Sequence, residues 1–291
     1  MSFSLSGKVA IVTGANRGLG AEIARHFVLA GASVMLCARD QAVLEQARAV
    51  FRGLAKPGQH VEATTADISS SDDVTRVTEA TLSRFGRIDV LVNNAGVYGP
   101  IDVVEAVDWV QWIKAVEINL FGAVLMCRAV LPAMRARGKG KIIQLSGGGA
   151  TNPMPRFSAY AVSKAAVVRF AETLAEEVRE YNIDVNAIAP GALNTRLLDE
   201  VLAAGPEKVG TSFFAQALKQ KQAGGAGLEV GARLATFLAS DKSDGITGKL
   251  ISAVWDNWTD WTEHVAELRA SDAYTLRRII GRDRGLNWGD K

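Results

Sequence analysis

The stretch KVAIVTGANRGLG, residues 8–20, decides the fold. Its first half is apolar at consecutive positions, as expected of a strand buried on both faces. Its second half carries three glycines, Gly14, Gly18 and Gly20, and opens into the amphipathic segment AEIARHFVLAG. In a strand–turn–helix unit Gly14 permits the tight turn, Gly18 lets backbone approach a pyrophosphate, and Gly20 permits close helix packing. The helix N-terminus then offers free amides and the positive end of its dipole to phosphate. Asn16, Arg17 and Leu19 lie in the same turn and are candidate cofactor contacts with the glycines. A bare glycine pattern also suits a structural turn; the flanking strand and helix favour the nucleotide.

Working outward, the same alternation continues along the chain. SVMLCA (33–38), VEATTA (61–66), DVLVNN (89–94), KIIQLS (141–146), DVNAIA (184–189) and KLISAV (249–254) read as further strands, separated by helical patterns such as AVLEQARAVF. Strands alternating with helices predict an α/β fold: a Rossmann-type, doubly wound parallel sheet of about seven strands in a single domain. No repeat, low-complexity linker or composition shift divides the chain before about residue 255. Residues 1–255 are therefore expected to form the catalytic and cofactor-binding domain. Residues 256–291 form a C-terminal extension, packing on that domain or at a subunit interface.

Composition narrows the function classes. The 291 residues carry a net charge of +2, with 48% hydrophobic and 22% charged residues. Near balance gives no argument for nucleic acid or an anionic membrane, and no unbroken apolar run reaches the ~18 residues of a membrane span. The N-terminus lacks a basic region with a small-residue cleavage site. Cys37 and Cys127 sit in apolar runs, as buried thiols of a reducing compartment. A cytoplasmic protein is expected. His26, His60 and His264 are far apart, so no metal site is expected. The basic run RARGKGK (135–141) reads as a solvated helix end.

The second strand points to the coenzyme. An NAD site usually has an acidic residue after that strand, on the ribose 2′-hydroxyl. Here CARD places Ala38 there and Arg39 next, with Arg17 inside the glycine turn. Two guanidiniums suit a 2′-phosphate through charge-assisted bonds, which favours NADP(H). Asp40 reads as an N-cap for the next helix.

A third stretch, LSGGGATNPMPRFSAYAVSK (145–164), carries the chemistry. Tyr160 and Lys164 are one helical turn apart on one face. A free tyrosine has a pKa of ~10. An adjacent ammonium favours the phenolate and lowers that value, making Tyr160 a proton donor to a carbonyl oxygen, or acceptor in reverse. The same spacing is common on helix surfaces, so the pair needs its surroundings to count.

Together, TGANRGLG, Asp67 in ADIS, NNAG (93–96), Asn119 in EINLFG, Tyr160-x-x-x-Lys164 and PGALNT (190–195) resemble the short-chain dehydrogenase/reductase family over about residues 5–254. The resemblance implies that Asp67 and Ile68 hold the adenine, and that Asn93 and Ala95, with Gly96, line the central cleft. Pro190, Gly191, Leu193 and Thr195 would hold the nicotinamide end, and Lys164 the nicotinamide ribose. Asn119 would be a proton relay, though its amide also suits a helix kink. The implied partner is a small-molecule carbonyl or alcohol, and the implied assembly a homodimer or homotetramer.

One departure matters. The family usually carries the carbonyl-polarising serine thirteen residues before the tyrosine; here that place is Gly147, and Ser146 is fourteen before. Three readings stay open. Ser146 serves, its hydroxyl turned inward by the flexibility of Gly147–Gly149; another donor such as Thr151 or a water replaces it; or the chain binds cofactor with little or no dehydrogenase activity. An epimerase acting by transient oxidation has less support. Substrate contacts are expected from 196–228, a helical lid, with Arg156 and Arg196 as candidates to face the cleft. Trp109 and Trp112 read as packing. Trp255, Trp258 and Trp261, spaced by three, read as packing or as a sugar-stacking wall.

Overall fold

A computed structural model describes residues 3–286 and Trp288. Strands β1 (Val9–Thr13), β2 (Ser33–Ala38), β3 (Val61–Thr65), β4 (Val90–Asn93), β5 (Gly140–Leu145), β6 (Ile183–Ala189) and β7 (Leu250–Ser252) fall where the apolar runs predict them. They form one all-parallel sheet in the order β3-β2-β1-β4-β5-β6-β7. Successive side chains leave a strand on opposite faces, so each run feeds two cores. Val12, Leu36, Val92 and Ile143 face one; Ile11, Met35, Leu91 and Ile142 face the other.

Ten α-helices among the described residues supply the cover and the rim: α1 (Gly18–Leu29), α2 (Gln41–Leu54), α3 (Ser71–Phe85), α4 (Trp109–Val116), α5 (Gly122–Arg137), α6 (Ser158–Glu177), α7 (Arg196–Val209), α8 (Thr211–Ala223), α9 (Leu228–Ala239) and α10 (Val265–Ala270). Their boundaries follow local chemistry. Asp40 and Ser70 cap α2 and α3, each accepting from a main-chain amide three residues on. Gly86 and Gly138 end α3 and α5 in the left-handed conformation at φ +72° and +65°. The chain winds outward from β1 in both directions, so the C-terminal ends of β1 and β4 part and leave a crevice.

Three places differ from expectation. Lys141, placed in a solvated run, is 2% exposed and sits between Asp184 (2.6 Å) and Asp244 (2.8 Å). The helical stretch 109–137 is continuous through a π-turn and, by length and composition alone, long enough to cross a membrane, with 44% of its apolar window buried. Met126, Cys127, Val130 and Met134 within it lie in the sheet's core. The three tail tryptophans also part company. Trp258 and Trp261 share one edge of a 3₁₀ turn (Trp258–Glu263), both 5% exposed, and Trp258 packs on Phe237 at 5.5 Å. Trp255 is 86% exposed.

Beyond α10 the chain returns along β7. The Tyr274 carbonyl accepts from the Leu250 amide (2.7 Å), Lys249 Nζ donates to the carbonyls of Ser271 and Ala273, and Glu172 accepts from the Leu276 amide. Deleting a buried indole costs about 3–5 kcal/mol, whereas truncating an exposed one stays within about 0.5. Urea denaturation of Trp258→Ala and Trp255→Ala should reproduce that contrast; equal losses would show that the tail does not pack as described.

Candidate active site

A cleft of about 1740 Å³ opens along the C-terminal ends of the strands. A pocket for one drug-sized ligand spans ~300–1,000 Å³, so this one has room for a dinucleotide and a second molecule. One end is built by the glycine turn after β1. Gly14 and Gly18 adopt φ +63° and +57°, the left-handed region that favours glycine. A Cβ on Gly20 would lie 2.3 Å from both the Gly14 carbonyl and the Asn94 amide, so α1 sits against its own strand only because that side chain is missing. The α1 N-terminus has no side-chain cap and no acidic residue in its first turn. Its free amides and dipole therefore face the cleft uncompensated, as an anion site requires.

The walls of this end come from the expected residues. Asn16, Arg17, Leu19, Arg39, Asp67, Ile68, Ala95 and Gly96 all line the cleft. Asp40 does double duty: it caps α2 and pairs with Arg17 at 3.4 Å. One oxygen of the Asp67 carboxylate accepts from both the Ser69 amide (2.9 Å) and hydroxyl (2.6 Å). At the far end Pro190, Gly191, Leu193 and Thr195 line the wall, and Thr195 approaches to 3.7 Å of where a Gly18 side chain would begin.

Asn93 is a correction. Expected at the cleft, its amide turns into the core, donating to the Ala123 carbonyl (3.1 Å). Asn94 faces the cleft in its place and donates to the carbonyls of Thr13 and Gly14. The Thr13 hydroxyl accepts from the amides of Asn94 and Ala95. The NNAG segment is thus stitched to the end of β1, because side chains alternate along β4 and the first asparagine falls on the buried face.

Tyr160 and Lys164 reach the middle of the cleft from α6, 8% and 5% exposed. Lys164 Nζ donates to the Leu145 carbonyl at 2.7 Å and lies 5.7 Å from the Tyr160 ring centre. Burial depresses the Lys164 pKa to about 8. Tyr160 departs from expectation: burial, with Tyr98 beside it, pushes the phenol above its ordinary value rather than below it. In a dry pocket the desolvation of a phenolate outweighs the attraction of one ammonium.

Asn119 lies in the π-turn (Glu117–Phe121), and its amide is fully taken up. Oδ1 accepts from the Val97 amide, while Nδ2 donates to the Val97 carbonyl and the Ser163 hydroxyl. Ser146 is 4% exposed on the cleft wall, its hydroxyl buried without a hydrogen-bond partner among the described residues.

Tyr98 is a site residue the motifs do not announce. Its ring meets Tyr160 edge-on at 4.7 Å and Phe157 at 5.2 Å. Its only sequence signal is its place just after NNAG. Arg156, a candidate for the cleft, turns away to the carbonyls of Glu207 and Lys208. Arg196 lines the cleft rim, paired with Glu200. Trp112 donates to Ser158 and stacks on Trp109, a packing role, whereas Trp109 itself departs from the packing expectation and is 63% exposed. The expected lid is α7 and α8, kinked where Gly205 takes φ +78°. No group of three or more metal-ligating side chains occurs among the described residues.

Residues 8–204 match the family model described as short chain dehydrogenase. A human protein, dehydrogenase/reductase SDR family member 4, is 35% identical over 251 residues, covering 85% of this chain and 86% of that protein. A gluconate 5-dehydrogenase from Burkholderia cenocepacia, solved with NADP and tartrate, superposes with a TM-score of 0.75 at 29% identity, over 86% of this chain and 95% of that one. An NAD⁺-bound xylitol dehydrogenase gives 0.76 at 26% identity, over 85% and 97%.

The buried Lys164 has a readable pH signature. Its folded pKa of about 8 lies below the ordinary 10.5, so between those values the unfolded chain holds more protons than the folded one. Stability therefore rises with pH across that window, by up to about 3 kcal/mol. Wild type should gain on Lys164→Met in urea titrations as the pH is raised from 8 to 10; a constant difference would show an unshifted lysine.

Proposed function

The chain belongs to the short chain dehydrogenase family, and on that footing we propose that it is an NADP(H)-dependent oxidoreductase acting on a ketone or aldehyde and the matching alcohol. A dehydrogenase or reductase role follows from the family; coenzyme, acid/base and substrate class are the proposal. The observation that carries it is the convergence of Tyr160, Lys164 and the uncapped α1 turn on one cleft. The glycine turn fits a dinucleotide diphosphate: a Cβ on Gly14 or Gly20 would strike Asn94 or the turn's own backbone, and Gly18 takes a left-handed φ, so the tight turn beneath the uncapped helix depends on all three.

When bound, the coenzyme supplies or accepts the hydride. The chain's own residues do the rest. Tyr160 delivers a proton to the carbonyl oxygen or takes it from the alcohol. Its raised pKa keeps the phenol protonated, which suits donation in the reductive direction. Lys164 holds a positive charge 5.7 Å from the Tyr160 ring centre below about pH 8, and is read as the group that binds the nicotinamide ribose. Ser146 is read as the carbonyl donor, supported by its partnerless buried hydroxyl. Asn119 is read as the proton relay on its motif position; its side-chain amide is committed to Val97 and Ser163.

Arg17 and Arg39, both on the cleft and exposed, suit a 2′-phosphate. Asp67 and Ile68 are read as the adenine wall, and Pro190, Gly191, Leu193 and Thr195 as the nicotinamide end. A homodimer or homotetramer is part of the proposal, supported by exposed apolar side chains at Trp109, Val110, Phe121 and Val162. So is a cytoplasmic location, supported by two free, buried cysteines.

A second reading, a coenzyme-binding protein with little turnover, draws on Gly147 at the usual serine place. A panel of carbonyls and polyols separates the two. Tyr160→Phe should abolish turnover while NADPH still binds, followed by nucleotide fluorescence; a wild-type rate would remove Tyr160 from the mechanism. Arg17→Ala and Arg39→Ala should each weaken NADPH by about tenfold or more, the worth of one charge-assisted bond, and leave NADH nearly unchanged. Equal losses for both would favour NAD(H).

A further inference from the structure

Gly147 sits at φ −175°, ψ 175°, extended backbone that any residue adopts. Conformation therefore gives no reason for a glycine, and an alanine there would lower the entropy of the unfolded chain and stabilise the fold. The reason lies in space. A Cβ on Gly147 would stand 2.2 Å from the Tyr160 hydroxyl oxygen, 3.1 Å from Cζ and 3.4 Å from Cε1. The neighbouring Gly148 meets nothing within 4 Å and Gly149 would meet Ala161 at 2.9 Å, so of the three glycines Gly147 is the one whose Cβ would strike Tyr160.

Tyr160 has little freedom to yield. Its ring is 8% exposed, is held edge-on by Tyr98 at 4.7 Å, and belongs to a cluster with Phe157, Leu198, Val201 and Val209. A tyrosine has two side-chain torsions, and a packed interior penalises a shift of an ångström by forcing neighbours off their rotamers. The three distances lengthen away from the oxygen, so the conflict is with the hydroxyl far more than with the ring.

We propose that Gly147 is a positioning residue: its missing side chain is the seat of the Tyr160 hydroxyl, and the chain has exchanged a hydroxyl at 147 for that seat. This rests on the reading of Tyr160 as the acid/base. It inverts the expectation drawn from the family pattern. A serine at 147 does not restore a donor; it expels the proton donor. The carbonyl-polarising role then falls to a group other than 147; Ser146, one residue back, lines the same cleft and carries a buried hydroxyl with no hydrogen-bond partner among the described residues.

The test is a double-mutant cycle on thermal stability, with activity as a second readout. Gly147→Ala should lower Tm by several degrees in the wild-type background and by less than half as much in the Tyr160→Phe background, because removing the hydroxyl removes the 2.2 Å contact. Equal shifts in the two backgrounds, or a rise in both, would overturn the proposal whether or not Tyr160 is the catalytic acid. Should Gly147→Ala alone fail to fold, recovery of folded protein in the double variant carries the same coupling, and failure of both overturns it. Once a turned-over substrate is in hand, Gly147→Ser should cut kcat by at least a hundredfold with NADPH affinity within threefold of wild type. A kcat equal to or above wild type would show that the serine acts as a donor and that Gly147 seats nothing.

Discussion

A buried ammonium held by one main-chain carbonyl, Lys164 on Leu145, governs the centre of this molecule. It pins α6 to the end of β5, and what lies at that junction follows from it. Tyr160, one turn earlier, is brought against Gly147, one residue past Ser146. Ser163, between them on the helix, receives the Asn119 amide and so ties α6 to the π-turn before α5. Taking a lysine out of water is costly, and the depressed pKa records that cost. Strands buried on both faces give few places for polar side chains to converge, and the C-terminal edge of the sheet, where Lys164 meets the Leu145 carbonyl, is one of them.

The two ends of the cleft are prepared differently. At the β1 end the preparation is an omission: glycines in the left-handed region and a helix with neither a side-chain cap nor an acidic residue in its first turn. At the α6 end it is crowding, with two tyrosines and a phenylalanine edge to edge and a glycine making room for one hydroxyl. A diphosphate is recognised by dipoles and needs open backbone, whereas a proton donor needs a fixed position, which packing supplies. The raised phenol pKa is the by-product of that packing. A charge arriving in the cleft with the coenzyme acts on a group already desolvated, where electrostatic effects are larger than in water.

Much of this was legible in residues 8–20. Consecutive apolar positions, then glycine, then helical periodicity predict strand, turn and helix, and the remaining six strands fall at the predicted runs. The residues that line the cleft at the glycine turn and after β6 were legible as well, since each sits in a contiguous motif whose spacing carries its geometry. What escaped were relations between segments. Lys141 looks like the end of a basic surface run, and only the packing of β5 beside β6 sets it against Asp184. Trp255 and Trp258 are indistinguishable by spacing, yet one is buried against Phe237 and the other stands in solvent. Asn94 rather than Asn93 reaches the cleft because strand alternation, set by the sheet, chooses which faces the core.

By itself the sequence determined the runs of the seven strands, the period of the helices after β1 and β2 and of the one carrying Tyr160, the glycine turn, and the identity of the groups able to move a proton. These depend on contacts within a few residues, where the periods of 2.0 and 3.6 and the stereochemistry of glycine act directly. Only the tertiary structure decided the pKa direction of Tyr160, the burial of Lys164 and the meaning of Gly147. Each of those depends on how α6 packs on the end of β5, where a 2.7 Å contact joins Lys164 to Leu145, nineteen positions apart in the chain.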